Sequence, residues 1–479
     1  MATRFVTVDR DTPMLLPPDL RDWVTAKDPA RLIVALMEHT DLSSAAVNVK
    51  GTGSKQYPPS MMLALLLHSY VHGVFSSREI EGSTHTHIGV RYITANEHPD
   101  HDTICKFRRE NRELIRESFK QCLQLASQVG ILQLGTVAMD GTKIKGDIDS
   151  DKTLTIEQVD AKIETIEKEE KVLQIKIDAL LEQAETTDRR EAAEASPASG
   201  ELKDSELLKE RLKIAKLEIA KKERKRARLE AARAQFAERK QREADERSEM
   251  REKIREAGIG HLPDKREAEL KPSDKVNTTD PDTTKMKGGR GGFVEGYNAQ
   301  GVVDCEGSGL LLAMRVSQES SDRQELMANL AELEANVGKG KVEATLGDKG
   351  YDNSYQINEI EREGGPTMLC LQQRTNEENK RARQGIEEKP KKTCRGRALR
   401  TWKQRQKLYQ RLREPANRAK QKRRRETIEP SFGIIKEQMG FRKFHLRGEE
   451  RVDTEWSLVG FAFNLRKLNR NVNWIEYLN

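Results

Sequence analysis

The chain has 479 residues, enough for two or three domains, and its 34% charged and 35% hydrophobic content requires that part of it be long solvated helix or disorder. The longest apolar run, Met61 to Leu67, is far below the roughly 20 residues of a membrane helix, so no membrane partner is expected. The net charge of +7 is uneven: Leu371 to Thr427 holds 21 Lys and Arg against 6 Asp and Glu, a local positive field suited to a polyanionic partner.

From Pro17 to about Leu125 the apolar spacing predicts helices, and residues 1–130 read as an N-terminal all-helical domain. Met61 to Val71 predicts one buried helix. Ser76 and Ser77 can cap the next, and Asp102 or Thr103 can cap a helix carrying Lys106, Arg108, Arg109 and Arg112. Short helices with a basic last member suit a helix-turn-helix-like DNA-binding module, and a plain helical bundle fits the same pattern. His68, His72, His85, His87, His98 and His101 lie here. His68 and His72 share a helix face, so a metal site is conceivable. No cysteine pair or acid completes it at familiar spacing, and structural histidines are the expectation.

Residues 131–154 open a second unit. Val137 to Met139 predict a strand that ends at Asp140 and Gly141, which places a carboxylate where a buried strand emerges; Asp before Gly is also ordinary turn chemistry. Residues 155–257 are different material. Ile156, Val159, Ile163, Ile166, Leu173, Ile177, Leu180 and Ala184 alternate steps of three and four, broken only at Glu170, the a/d pattern of a coiled coil. Ser196 to Gly200 interrupt it, and Leu207 to Arg255 resume with Leu208, Leu212, Ala215, Ile219 and Leu229 on a weaker seam. The expectation is an antiparallel helical hairpin on the order of 50 Å long, at about 1.5 Å per residue. Its second arm is expected to fail beyond Leu229, where Arg and Lys crowd the sequence.

Residues 258–371 return to strands. Gly296 to Asp304 and Gly309 to Ser317 predict a hairpin across Cys305 to Ser308. Ser321 then caps a helix with Leu326, Leu330, Leu333 and Val337, which Gly338 stops. Val342 to Leu346 predicts a strand running out at Asp348, a second acid at a strand end. A helix to Arg362, stopped by Gly364, Gly365 and Pro366, leads to a last strand from Thr367 to Leu371. Residues 372–426 form the basic insertion, whose Trp402 and Tyr409 can stack on unpaired bases or simply pack. Residues 427–479 end the chain in helices. Pro430 follows Glu429, which predicts a helix starting near Thr427 with Pro430 in its first turn and Arg425 in the preceding loop.

Cys105, Cys122, Cys305, Cys370 and Cys394 are scattered and odd in number, so no disulfide framework and no zinc motif can be written. With no cleavable signal evident, a reduced, cytoplasmic setting is expected. Glu429 is the conspicuous acid among cations, four residues after the run Lys422, Arg423, Arg424 and Arg425. Such a run is usually a solvated face. It can also hold phosphates around an oxygen ligand for a divalent metal, provided partner carboxylates come from elsewhere, and Asp140 and Asp348 are those partners.

With these residues in place the chain resembles the DDE transposases of bacterial insertion sequences, over nearly all of its length outside the coiled hairpin. Asp140 in VAMDGTKIKG and Asp348 in TLGDKGYDN are similar to the family's two aspartates. Arg425, three residues, Glu429, six residues and Lys436 match the spacing of its tyrosine, arginine, glutamate, lysine signature, with Lys422 standing where the tyrosine would be. MKGGRGGFVEGYNAQ and HPDHDTICKFRREN are further likenesses. The resemblance implies an α/β, ribonuclease-H-like mixed sheet flanked by helices, with the N-terminal helical DNA-binding domain and the inserted hairpin added. Its catalytic core would comprise 131–154, 258–371 and 427–479. It further implies two Mg²⁺ ions, with Mn²⁺ as a substitute, held by Asp140, Asp348 and Glu429, and phosphate contacts from Arg425 and Lys436. The implied reaction is cleavage at the ends of an insertion sequence and strand transfer to target DNA, by a homodimer on double-stranded DNA at the nucleoid. Asp147, Asp149, Asp304 and Asp352 lie past the strand ends or outside the motifs and are set aside. A DNA-binding protein of transposase ancestry that no longer cuts is the alternative, and a coiled-coil scaffold is a third reading.

Overall fold

The computed structural model describes residues 19–47, 56–193, 201–288, 291–370, 390 and 394–478. The expected linker at 196–200 and most of the first half of the basic insertion, 371–389 and 391–393, lie outside the described residues.

Among the described residues seven helices come first: α1 Leu20–Trp23, α2 Pro29–Glu38, α3 Pro59–Val71, α4 Ser77–Thr86, α5 Ile88–Ile93, α6 His101–Glu110 and α7 Arg112–Gln128. The α3 helix is apolar on nearly every side and is buried from Met62 to Val71. Its Ser69 and His68 are buried with it. Asp100, not Asp102 or Thr103, caps α6 and accepts the Thr103 amide at 2.7 Å. Asp102 lies one position inside the helix, where its carboxylate meets the positive helix start instead.

The His68 imidazole is 1% exposed and neither ring nitrogen has a partner; its ring centroid lies 4.2 Å from that of His72 and 5.3 Å from that of His87. Burial first, and then His72 and His87, pull its pKa down to about 3. The folded protein therefore holds His68 neutral while the unfolded chain takes up a proton below about pH 6.5. That depressed pKa gives stability that is present above pH 6.5 and lost as pH falls toward 3. Urea melts should show roughly 2 kcal/mol of loss between pH 7 and pH 5 that His68→Leu does not share. An identical pH slope in that variant would remove His68 as its source.

The sheet begins with β1 Thr136–Lys145, and after a small ribbon of β2 Thr153–Thr155 with β3 Lys275–Asn277 it continues through β4 Thr284–Lys287, β5 Phe293–Asp304 and β6 Leu311–Ser317. Then come α10 Leu326–Val337, β7 Ala344–Gly347, α11 Ser354–Arg362 and β8 Thr367–Cys370, with α8 and α9 lying between β2 and β3. β5 sits beside β1, β1 beside β7 and β7 beside β8, while β4 and β6 share the far edge of β5. The pairs of β5 with β1 and β6 are antiparallel, and β1, β7 and β8 run parallel. This is a mixed sheet with helices against it, consistent with a ribonuclease-H-like fold. β1 is longer than expected, because residues beyond Asp140 keep pairing with β5 as far as Lys145 opposite Gly296.

Four helices end the chain: α12 Gly396–Arg413, α13 Pro415–Gly433, α14 Glu449–Leu468 and α15 Val472–Leu478. α14 lies on the sheet and is buried almost throughout, with Trp456 donating to the Gln300 carbonyl at 2.8 Å. Its Asn464 takes both backbone groups of Leu311, at 2.8 and 2.7 Å. α3 and α7 pack on α14, so the N-terminal helices and the sheet share one core.

Between β2 and β3 run α8 Ile156–Ala193 and α9 Glu201–Ala257, of 38 and 57 residues. Asp160 meets Arg233, and Glu169 meets Lys222, so the two run antiparallel. Ile156, Val159, Ile166 and Leu229 close one seam cluster, and Ile177, Leu180 and Ala215 a second. The break at Glu170 has a partner: Arg226 reaches it at 3.0 Å. The α9 arm does not fail beyond Leu229. From Arg239 on its cations turn from α8 to the core: Arg239 donates to the carbonyls of Pro281, Asp282 and Thr283, and Arg247 pairs with Glu319 at 3.0 Å.

α13 also corrects an expectation. It starts at Pro415 and passes unbroken through Glu429 and Pro430, so Arg425 is on the helix and not in a loop. An interior proline costs about 3 kcal/mol. Ile428, fully buried, and Phe432, 7% exposed, each return about 1.5–3 kcal/mol against the sheet, which holds the helix together. The backbone then passes into a π-helical turn, Ile434–Gln438.

Candidate active site

The parallel pairing of β1 with β7 sets two acids side by side. Ala138 lies opposite Leu346, so Asp140 and Asp348 each follow the last paired residues by two positions, close enough for the Asp348 charge to act on Asp140. Asp348 follows the last residue of β7, where its carboxylate accepts the Gly350 amide at 2.7 Å and closes a short 3-10 turn. Glu429 comes from α13, which packs on β1; Gln421 of the same helix donates to the Leu369 carbonyl and, at 3.4 Å, to that of Gly347, tying α13 to the ends of β7 and β8.

One cation joins two of these acids. Arg424 donates through Nη1 to Asp140 Oδ2 at 3.0 Å and through Nη2 to Glu429 Oε1 at 3.1 Å. Arg424 is 6% exposed, whereas the Glu429 side chain is 51% exposed. Burial, and after it the neighbouring Asp348, push the Asp140 pKa up to about 6 against the pull of Arg424. Removal from water is thus the main reason that Asp140 holds its proton more tightly than a free carboxyl.

Sequence reasoning missed Arg424. It sits in a run of four cations that look alike, and placing the helix start at Thr427 put it in a loop; only a continuous helix aims position 424, and not 425, at the acids. Asp322 was missed as well, since nothing in its local sequence marks it. It accepts from Asn298 at 2.8 Å and Gln300 at 2.7 Å and lies 3.7 Å from Lys143. Strand alternation puts Gly141 and Lys143 on the face of β1 opposite Asp140, so Asp322 acts on Asp140 from across the strand and raises its pKa least of the charges around it. Gly141 is what allows this: a Cβ there would collide with Asp322 Oδ1 and Gln300 Nε2.

The other expected residues fall as follows. Lys436 lies on the π-helical turn and donates to Thr142 Oγ1 and, at 3.3 Å, to the Lys143 carbonyl, against the strand that carries Asp140. Arg425, Lys106 and Arg109 are exposed, and Trp402 and Tyr409 are half-buried on α12, with the Arg413 guanidinium 5.9 Å from the Tyr409 ring centre. Arg112 pairs with Asp453 at 3.2 Å. Arg108 is not on the surface at all. It is 2% exposed and donates to Tyr70 Oη at 2.8 Å and the Phe75 carbonyl at 2.9 Å, so its guanidinium serves the core and has no face toward DNA. Of the acids set aside, Asp147 pairs with Lys443 and Arg447, Asp149 accepts the Asp151 amide, Asp304 holds the β5–β6 turn through Ser308, and Asp352 meets Arg405 at 3.4 Å.

Among the described residues no three His, Cys, Asp or Glu side chains are yet arranged to hold a metal ion. The donor set nevertheless suits Mg²⁺ or Mn²⁺. It is carboxylate oxygen only, and one of its members, Asp140, is partly buried beside a second carboxylate.

Asp140 on β1, Asp348 just past the end of β7 and Glu429 on a helix packed against β1 thus come from three elements of a mixed α/β core. Two family models match the chain: one described as a transposase DDE domain over residues 271–465, and one described as a transposase domain over residues 18–110. The two matches make this chain a DDE transposase of the insertion-sequence type. The first takes in Asp348 and Glu429 and begins after Asp140, since α8 and α9 stand between β1 and the rest of the sheet. No curated protein and no solved structure matches the chain. Among the described residues no helix is long and apolar enough to cross a membrane.

Proposed function

We propose that this transposase binds the ends of its own insertion sequence as double-stranded DNA, cleaves a strand there to free a 3′ hydroxyl, and joins that hydroxyl to target DNA. The observation that supports this above all is the approach of Asp140, Asp348 and Glu429 from three separate elements beside a strongly basic helix. These three would hold two divalent ions, Mg²⁺ or in its place Mn²⁺. Bound there, the ions would supply charge stabilisation for the attacking and leaving oxygens of an in-line displacement. The chain's own residues bind and orient the DNA. Arg425 projects from α13 into solvent beside Glu429, and Lys436 holds β1 and offers its charge to a phosphate. Lys106 and Arg109, exposed on α6 of a DNA-binding N-terminal unit, add backbone contacts, and Trp402 and Tyr409 stack on unpaired bases near the cut.

The test is a plasmid carrying the element's ends, incubated with purified protein with and without Mg²⁺. Metal-dependent nicks at the ends are expected. DNA binding without them would instead favour the alternative, a protein of transposase ancestry that no longer cuts.

The long helical pair we read as a coiled coil that brings two copies together on DNA. Val172 and Ile175 on α8, and Ile214 and Leu217 on α9, are large apolar side chains 66%, 69%, 51% and 54% exposed in its outer part. Such residues seek another surface. Replacing residues 172–220 with a short Gly and Ser turn spares the part of α9 that lies on the core. It should abolish the two-copy complex on paired ends, read as mass in solution, while single-end nicking continues. Paired complexes that form as readily as before would reassign the arm to another task.

A further inference from the structure

We propose that Arg424 is a tethered cation that occupies the acid site while divalent metal is absent, and that metal ions load by displacing it. The proposal rests on the metal-dependent reading above and adds a residue and an order of events to it. Its starting point is that one guanidinium holds Asp140 Oδ2 and Glu429 Oε1 at 3.0 and 3.1 Å. Mg²⁺ binds oxygen at about 2.0–2.1 Å and keeps near-octahedral order around itself. An ion held by Asp140 and Glu429 together would take the place between the two carboxylates that the guanidinium now bridges, and the two cations draw on the same negative charge, so each weakens the hold of the other.

Two further observations fit a resting arrangement that can be given up. Arg424 is 6% exposed, so its charge is removed from water and held there chiefly by these acids. Arg424 also stands on a continuous helix, five residues before Glu429, so its long side chain can swing away without moving the backbone that carries Glu429.

The charge-assisted bonds that Arg424 makes are of the stronger kind, so removing the competitor should tighten metal binding about ten- to a hundredfold. The experiment titrates Mn²⁺ into the full chain without DNA and follows free Mn²⁺ by electron paramagnetic resonance. Arg424→Gln is expected to bind Mn²⁺ ten- to a hundredfold more tightly than the wild type, with Arg424→Lys between them; equal or weaker binding by Arg424→Gln overturns the proposal. Wild-type protein provides a second measurement that needs no variant to fold. Phenylglyoxal modification of Arg424, read by mass spectrometry, should be slow without Mn²⁺ and faster with it, and an unchanged or slower rate overturns the proposal. Mn²⁺ binding that disappears in Asp348→Ala but is indifferent to Arg424 sinks this inference and leaves the metal site standing. Absence of any Mn²⁺ binding in all of these proteins sinks both.

Discussion

Asp140→Ala, Asp348→Ala and Glu429→Ala should each abolish strand cleavage while leaving the affinity for end DNA undiminished. Losing a mere outer partner of a metal ligand costs about ten- to a hundredfold in activity, so loss of a ligand itself should exceed about a hundredfold. DNA affinity should hold or rise slightly, because each change removes a negative charge from a basic surface. The three variants should differ in stability, and this guards against misreading a folding defect as a catalytic one. Asp140→Ala and Glu429→Ala each strip one partner from the buried Arg424. Asp348→Ala loses only the bond to the Gly350 amide that closes its turn, worth about 1 kcal/mol. Equal loss of cleavage across unequal stabilities is therefore the signature of shared chemistry. Metal-dependent nicking retained at wild-type rate by any one of them would remove that residue from the site.

Glu455→Ala should be among the most destabilising single changes in the molecule. Glu455 is fully buried; it accepts the amides of His445 and Leu446, both at 2.9 Å, and Tyr70 Oη at 3.3 Å, with Arg108 at 3.9 Å. Its removal leaves the Arg108 cation buried without a counter-charge, which costs about 3–5 kcal/mol. Arg108→Met should cost less, since Glu455 keeps its amide donors. In the double variant Arg108→Met, Glu455→Ala the two losses should fall well short of adding, because the isolated charge has gone. Urea midpoints at constant slope provide the measurement, and additive losses would show that the pair is not coupled. Folded Arg108→Met should bind end DNA as the wild type does. A selective loss of affinity would return Arg108 to the list of DNA contacts.

What the sequence alone determined are the features that depend on local periodicity and spacing. Alternating and continuous apolar runs placed β5, β6, β7 and β8, glycines marked the ends of α10 and α11, and the three-and-four pattern placed α8. Asp140, Asp348 and Glu429 were legible as candidates because two follow apolar strand runs and the third lies just past a basic run, and because their surroundings resemble those of a known family. Tertiary structure alone decided what depends on register and long-range contact. β1 runs on to Lys145 because β5, some 150 residues away, goes on pairing with it. α13 keeps Pro430 because burial of Ile428 and Phe432 outweighs a missing hydrogen bond, a comparison no window of sequence contains. α9 persists beyond Leu229 because its arginines meet carbonyls and carboxylates of the core. Arg108 and Arg424 look like their neighbours in a row of letters. One is a buried strut and the other a bridge between two acids, because a charge takes its role from the partners that folding brings within about 3 Å of it.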